Sequence, residues 1–479
     1  MASRNAERPN VVFILSDDQG PWAMGCAGNK EIITPGLDGL AARGMRFENF
    51  FCVSPVCSPA RASLLTGEIP SQHGVHDWIR DGNVGPNRID YLEGKTLITD
   101  VAIKAGYRCG LIGKWHLGAS DAPRPGYVDW YAHQSGMSAY FAAPMVEDDR
   151  LVEGKGYLTE ELTDRAINFL ARENDRPESF WLALNYTAPH YPWIASHPKQ
   201  YTDLYADCAF DSCPIEPPHR FNADGNPATD EGNSNRRDSL VGYYAATTAM
   251  DMGIAKVVAE IERLGLTKST LVIFMSDNGM NCGHHGIWGK GNGTRPQNMY
   301  DTSVKVPCIF TQPGRIPEGI VAERLTSAYD VFPTLHEYLG FGRDTRQGRP
   351  GASFRQTLEG KNCGIHVPVV VFDEYGPVRM IRTSVWKYVH RDPSGPHELY
   401  HLAADPDERY DLIDDPRHVD QVAELRGQLT AWFDTYVDPV IDGRKWGVTG
   451  AGQLGRPEAG VAPDKRFATV PIAALTKKN

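Results

Sequence analysis

VVFILSDDQG at residues 11–20 and LVIFMSDNGM at residues 271–280 share one design: an unbroken apolar run, then Ser, Asp, a second oxygen-bearing side chain and a turn. A short apolar run without polar alternation reads as a strand buried on both faces, as in a parallel sheet covered by helices. In an open parallel sheet, ligands collect beyond the carboxyl ends of the strands, and neighbouring strands lie about 4.8 Å apart. Asp17, Asp18, Asp277 and Asn278 can therefore surround one ion. All four offer hard oxygen, which favours calcium, with magnesium second, over zinc. Asp and Asn also follow strands simply because they make good turns, but the repetition argues for the ion.

Outward from these two stretches, short apolar runs alternate with amphipathic ones from residue 10 to about residue 340. Strands are expected at 10–15, 108–112, 180–185, 271–275 and 307–311, and helices at 34–43, 59–66, 158–172 and 239–264. The fold class is α/β, a large mixed, mostly parallel sheet sandwiched by helices. Residues 203–238 are rich in Pro, Asp, Asn and Gly without either period, and read as a long surface loop. Past residue 365 the pattern changes to closely spaced strands at 367–372, 378–382 and 385–390, then a helix at 418–436, a smaller antiparallel sheet with one helix. The chain thus divides into a catalytic domain at 1–364, a C-terminal α+β subdomain at 365–438 and a Gly-rich tail at 439–479, which either wraps the domain or is partly disordered.

Composition narrows the function. A chain of 479 residues with 41% hydrophobic content has enough apolar surface for a large core. A formal charge of -11 without runs of Lys and Arg argues against a nucleic-acid partner. The nine cysteines are scattered, with no CxxC pair or zinc-like spacing, and read mostly as reduced, buried small residues. No window approaches the roughly 18 consecutive apolar residues of a membrane span. The opening MASRNAERPN lacks the apolar stretch of a leader, so a cytoplasmic protein without a membrane partner is expected.

The chemistry is carried by PVCSPARASLLTG at residues 55–67. Ser58 can cap a helix and Pro59 suits its first turn, whose free N–H groups attract an anion. Arg61 in that turn presents a planar fork suited to the oxygens of such an anion. Three more segments follow: GYRCGLIGKWHLG at 106–118, APHYPW at 188–193 and HHGIWGKG at 284–291. Alternation along an extended segment turns Lys114 and His116 to the same side.

Together these segments resemble the type I sulfatases of the alkaline phosphatase superfamily, and the resemblance runs from Asn10 through DPDERYDL at 405–412. It implies that Cys57, in the CxPxR signature, is oxidised by a formylglycine-generating maturation enzyme, and that the hydrated aldehyde is the nucleophile and a metal ligand. It further implies that Lys114 binds sulfate, that His116 holds the hydrate and helps break the sulfated intermediate, and that His190 or Lys290 protonates the leaving oxygen. Asp277 then accepts a proton from the hydrate. Cys109 stands where the family usually has Ser or Thr, a departure that touches packing more than chemistry. Two rivals remain. One is a phosphonate monoester or phosphodiester hydrolase of the same superfamily, which typically carries DHG where this chain has Asp277, Asn278 and Gly279. The other is a non-catalytic glycan-binding protein with Cys57 unconverted.

The expected substrate is a small sulfated saccharide, with a 6-sulfated N-acetylhexosamine as the first compound to assay. Trp78, Arg80, His133, Trp193, His284, His285 and Arg295 combine aromatic faces with hydrogen-bonding heads and are the candidate sugar contacts. The oligomeric state is not legible in the sequence.

Overall fold

The computed structural model describes residues 8–223, 225–361 and 370–469. Its main sheet has ten strands, in chain order β1 (Asn10–Ser16), β2 (Met45–Phe47), β3 (Arg108–Gly113), β4 (Tyr127–His133), β5 (Pro144–Glu147), β6 (Arg150–Glu153), β7 (Phe180–Asn185), β8 (Thr270–Ser276), β9 (Cys308–Thr311) and β10 (Ile320–Ala322). Their order across the sheet is β10-β2-β9-β8-β1-β7-β3-β4-β5-β6. The central run β8-β1-β7-β3-β4 is parallel throughout. β9 is antiparallel to both neighbours, and β4, β5 and β6 form an antiparallel edge. The architecture is the expected mixed α/β sheet with helices on both sides.

Alternation along β1 explains the two layers. Val11, Phe13 and Leu15 face one core, where helices α2 (Cys57–Thr66), α3 (Ile98–Lys104) and α6 (Val331–Tyr338) pack. Val12 and Ile14 face the other, filled by α1 (Pro35–Ala42), α4 (Leu158–Asn174) and the long α5 (Arg236–Arg263). All seven residues of β1 and of β8 are buried, which is why their sequences show no polar alternation.

The expected surface loop at 203–238 requires correction. It contains a helix at Pro227–Ser234, begun by Asn226, whose side chain accepts a hydrogen bond from the Ala228 N–H, and by Pro227 in the first helical position. That Asn-Pro pair is a helix-start signal. Tyr205, Phe210 and Cys213 of the same segment are buried in the core against α5. The eight cysteines among the described residues are free, and most are buried.

The second sheet comprises β11 (Val370–Tyr375), β12 (Val378–Arg382), β13 (Trp386–Arg391) and β14 (Glu398–His401), antiparallel throughout and backed by α7 (Val419–Tyr436) through Leu425, Leu429 and Phe433. The expected strand at 367–372 lies partly outside the described residues, as does the expected boundary at residue 364. The fourth strand was not anticipated. Beyond α7 the tail wraps: Trp446, Val448, Ala451 and Phe467 are buried. Residues 470–479 lie outside the described residues.

The small sheet is fastened to the large one by buried charge. Lys387 on β13 is fully buried and pairs with Asp301 and Glu408, while Arg382 on β12 reaches Asp301 at 3.2 Å. Removing the cation leaves the buried Glu408 carboxylate without its charge partner, a loss of about 3–5 kcal/mol. Lys387→Met should therefore lower the unfolding free energy obtained from urea titration by that amount, and an unchanged value would show that the network does not fasten the subdomain.

Candidate active site

The ladder between β1 and β8 runs in register to Ser16 opposite Ser276, and continues past the strand ends with the Asp277 N–H donating to the Ser16 carbonyl at 3.2 Å. Asp17 and Asp277 thereby stand side by side. On the other side of β1, the Asp17 N–H bonds the Ala188 carbonyl beyond β7 at 3.1 Å, which brings His190 to the same edge. One strand further, the Lys114 N–H bonds the Asn185 carbonyl at 2.8 Å. Gly113 makes that approach possible: its φ is +110°, and a Cβ there would lie 1.9 Å from the Asn185 oxygen. Four adjacent parallel strands thus deliver their following residues to one place.

The fifth contributor is α2, which starts at Cys57 after the extended Val56. Ser58 is not its cap. It is the second helical residue, and its hydroxyl donates to the His116 carbonyl at 2.9 Å while accepting from the Ile79 N–H at 3.0 Å. Arg61 lies one turn beyond Cys57, on the same face of the helix. Its guanidinium makes two 2.9 Å contacts to Asp277 Oδ2 and donates to the Lys114 carbonyl.

At the centre, Cys57 Sγ lies 3.3 Å from Asp17 Oδ1 and accepts from Lys290 Nζ at 2.8 Å. Lys114 pairs with Asp17, and Lys290 with Asp18. His190 Nε2 is 3.6 Å from Asp18 Oδ2, and its Nδ1 lies 2.6 Å from the Tyr191 carbonyl. Asp18 adopts φ +61°, held there by the Tyr243 hydroxyl, which donates to the Asp18 carbonyl and accepts from the Gly20 N–H. Tyr243 is a supporting residue that no sequence signal marked, and Ser58 supports the site in place of the cap expected of it.

Burial works against the charges, and opposite charges decide the outcome. Burial opposes ionisation of the Cys57 thiol, but Lys114 and Lys290 outweigh it and draw the group down to about 6. Burial would neutralise His190, but Asp18 and Asp17 hold it above its ordinary value. Lys290 is held well above its own, with burial overcome by Asp18 and Cys57. Burial, together with Asp17, pushes Asp277 up to about 6 against the pull of Arg61. His116 is driven well below its ordinary value by burial and by Lys114.

The donor set suits a hard cation. Oxygen or sulfur atoms of Asp17, Asp18 and Cys57 and a nitrogen of His190 lie within 4.8 Å of one another. Asn278 joins through its amide nitrogen, 2.8 Å from Asp18 Oδ1, while its buried Oδ1 has no hydrogen-bond partner. A buried amide oxygen without a donor, on a side chain beside the Asp18 carboxylate, is an arrangement a divalent cation satisfies.

The expected sugar contacts divide. His133 and Trp193 are each 1% exposed; His133 bonds the Ser135 carbonyl and Ser138, and the Trp193 indole bonds the Pro189 carbonyl. Both are structural, because aromatic and imidazole groups with bodies this buried offer no face to a ligand. Trp78 and Arg80 are partly buried and bond the tail at Gly450 and Ala451. His284, His285 and Arg295 are half-buried, with His285 stacked on Tyr300 at 3.7 Å between ring centroids.

Comparison with known proteins gives a consistent picture. A family model described as Sulfatase matches residues 9–341, and one described as N-sulphoglucosamine sulphohydrolase, C-terminal, matches residues 283–434. A choline-sulfatase of Rhizobium meliloti is 27% identical, over 89% of this chain and 86% of that protein. An N-acetylglucosamine-6-O-sulfatase of Bacteroides thetaiotaomicron is 24% identical, over 90% and 87% respectively. Among solved structures, a protein in complex with its substrate D-glucosamine-2-N,6-O-disulfate superposes with a TM-score of 0.76 at 22% identity, covering 91% of this chain and 100% of that one.

If the carboxylates and Asn278 bind a cation, calcium added to chelator-treated protein should raise Tm, since a ligand bound only by the folded state stabilises it by about 2.7 kcal/mol at a hundred-fold excess over Kd. Asn278→Ala and Asp18→Ala should each shrink that rise. A Tm indifferent to calcium and to magnesium in the unaltered protein would remove the site.

Proposed function

The chain belongs to the sulfatase family and is a sulfuric ester hydrolase; on that premise we propose that it acts on a small sulfated carbohydrate, using a formylglycine made from Cys57 and a calcium ion. The observation that carries the reading is the convergence of Arg61, Lys114 and Lys290 on Cys57 and the three carboxylates. The same reading makes residues 1–364 the catalytic domain, 365–438 its α+β subdomain and 439–479 a tail.

Asp17, Asp18, Asp277 and Asn278 would hold the ion, with the residue at position 57 as a further ligand. Formylglycine there, once hydrated, supplies an oxygen nucleophile, and the ion supplies positive charge to the sulfate oxygens. The chain's own groups do the rest. Lys114 and Lys290 present ammonium groups to the anionic sulfate, and Arg61 fixes Asp277, the acceptor for a proton leaving position 57. His116 donates its Nε2 hydrogen to the Ile79 carbonyl at 2.9 Å, which leaves a lone pair on Nδ1, buried and without a protein donor. That lone pair is suited to take the second proton from position 57 when sulfate departs.

His190 is the better acid for the leaving oxygen. The Tyr191 carbonyl takes its Nδ1 hydrogen, and Nε2 faces the site 3.6 Å from Asp18, so a ring protonated there can donate to a leaving oxygen. Lys290, whose ammonium lies between Asp18 and position 57, is placed as a sulfate binder. A general acid contributes about 10²–10⁴-fold where the leaving group is a poor one. His190→Asn should therefore slow a sugar sulfate by that range and a nitrophenyl sulfate by far less. Equal losses on both substrates would assign the proton elsewhere.

Support for a carbohydrate comes from the N-acetylglucosamine-6-O-sulfatase relative and from the half-buried His284, His285, Arg295, Trp78 and Arg80, which mix aromatic faces with donors. The choline-sulfatase relative sets the competing class. Mature enzyme is assayed against 6-sulfated N-acetylhexosamines, other sulfated mono- and disaccharides, intact polymers, a steroid sulfate, choline sulfate and an aryl phosphonate. The highest kcat/KM is expected on a small sugar. A higher value for choline sulfate, the steroid or a polymer would overturn the substrate, and a dominant phosphonate rate would overturn the sulfatase reading of the site.

A further inference from the structure

Neither family model extends beyond residue 434, yet the chain continues and packs against the side of the site that bears the nucleophile. Gln453, in this tail, is fully buried. Three of the four hydrogen bonds of its side chain reach the segment before Ile79, the residue that His116 bonds: Oε1 accepts from the His76 and Asp77 N–H groups at 2.9 and 3.3 Å, and Nε2 donates to the Gly74 carbonyl; the fourth, from Nε2 to the Gly455 carbonyl, stays within the tail. Its backbone does the same, with its N–H on the Trp78 carbonyl at 2.7 Å and its carbonyl accepting from the Arg80 N–H at 2.9 Å. Gln453 and Ile79 therefore form a parallel bridge.

In a strand the backbone groups of successive residues point to opposite edges. The Trp78 carbonyl and the Arg80 N–H are committed to the tail, so the N–H and carbonyl of Ile79 point the other way, toward Ser58 and His116. The Ile79 N–H bonds Ser58, next to Cys57, and its carbonyl takes the His116 Nε2 hydrogen. Asp77 reinforces the bridge: its buried carboxylate accepts from the Gly450 and Gly452 N–H groups at 3.0 and 3.1 Å and from the Tyr375 hydroxyl. Gly136 makes room for the His116 ring: a Cβ there would lie 2.0 Å from its Cε1.

We infer that residues 449–455 are a positioning element of the catalytic centre: through Gln453 the tail holds Ile79, and Ile79 fixes the tautomer and orientation of His116. The inference rests on the role proposed above for His116. Residues 449–455 thereby act on the catalytic centre at one remove, through backbone hydrogen bonds.

The test uses the full-length mature enzyme and a nitrophenyl sulfate. Gln453→Ala should lower kcat by about ten-fold or more, because small displacements of a reacting group are costly, with KM changed by less than about two-fold and the calcium-dependent rise in Tm retained. In a His116→Ala background the same substitution should change kcat by less than about two-fold, since the interaction it acts through is already gone. Arg456→Ala, which removes only the tail's surface ion pair with Glu93, should leave kcat unchanged. Should Gln453→Ala fail to fold, the isosteric Asp77→Asn weakens the same bridge and should lower kcat in the same His116-dependent way. Retention of kcat in a folded variant, or an equal loss with and without His116, overturns the inference. A normal rate for His116→Ala alone overturns instead the role given to that histidine.

Discussion

Asp17, Asp18 and Asp277 sit at the ends of two hydrogen-bonded parallel strands and are all but removed from water. Taking carboxylates out of water together is expensive, and each must be met by opposite charge. Much of the molecule around them can be read as the means of doing so. Arg61 arrives on α2, Lys114 beyond β3, Lys290 from the segment after β8 and His190 beyond β7. Each cation comes from a different part of the chain, so the charges balance only when the parallel sheet is assembled and α2 is seated against it.

The same balance gives the site its chemical character. Cations drawn in to neutralise buried carboxylates are also placed to receive an anion, and a cation site among the carboxylates would free the lysines to do so. Charge balance extends into the second sheet, where Lys387 and Arg382 meet Asp301 and Glu408. Asp301 lies just beyond the 284–291 segment that carries Lys290, so the subdomain fastens the chain close to that lysine. The tail adds to the enclosure through Gln453, which bonds the 74–80 segment, and through Gly450 and Gly452, which bond Asp77.

Proton roles follow from backbone partners more than from the identity of the side chains. His116 and His190 are both imidazoles within one small site, yet a carbonyl takes the Nε2 hydrogen of one and the Nδ1 hydrogen of the other. One ring is pushed toward neutrality by burial and neighbouring cations, and the other is kept charged by carboxylates. The two rings are suited to opposite tasks.

The sequence by itself determined the fold class and the chemical inventory. Continuous apolar runs of this length read as strands buried on both faces, and the repeated Ser-Asp pattern marks strand ends, so β1, β3, β7, β8 and most helix positions were legible, as was the set of residues that the fold gathers at one place, Cys57, Arg61, Lys114, His190, Lys290, Asp17, Asp18, Asp277 and Asn278. Tertiary structure decided what depends on neighbours distant in the chain. It turned Ser58 from an expected cap into a link between His116 and Ile79, because its hydroxyl meets a segment that local sequence cannot place. It buried His133 and Trp193, whose residue types suit a sugar as well as a core. It folded part of 203–238 against α5, and it brought a Gly-rich tail of no evident pattern to the back of Ile79. Local periodicity reports which faces of an element are buried; it does not report what buries them, and at this site that decides the protonation of each histidine.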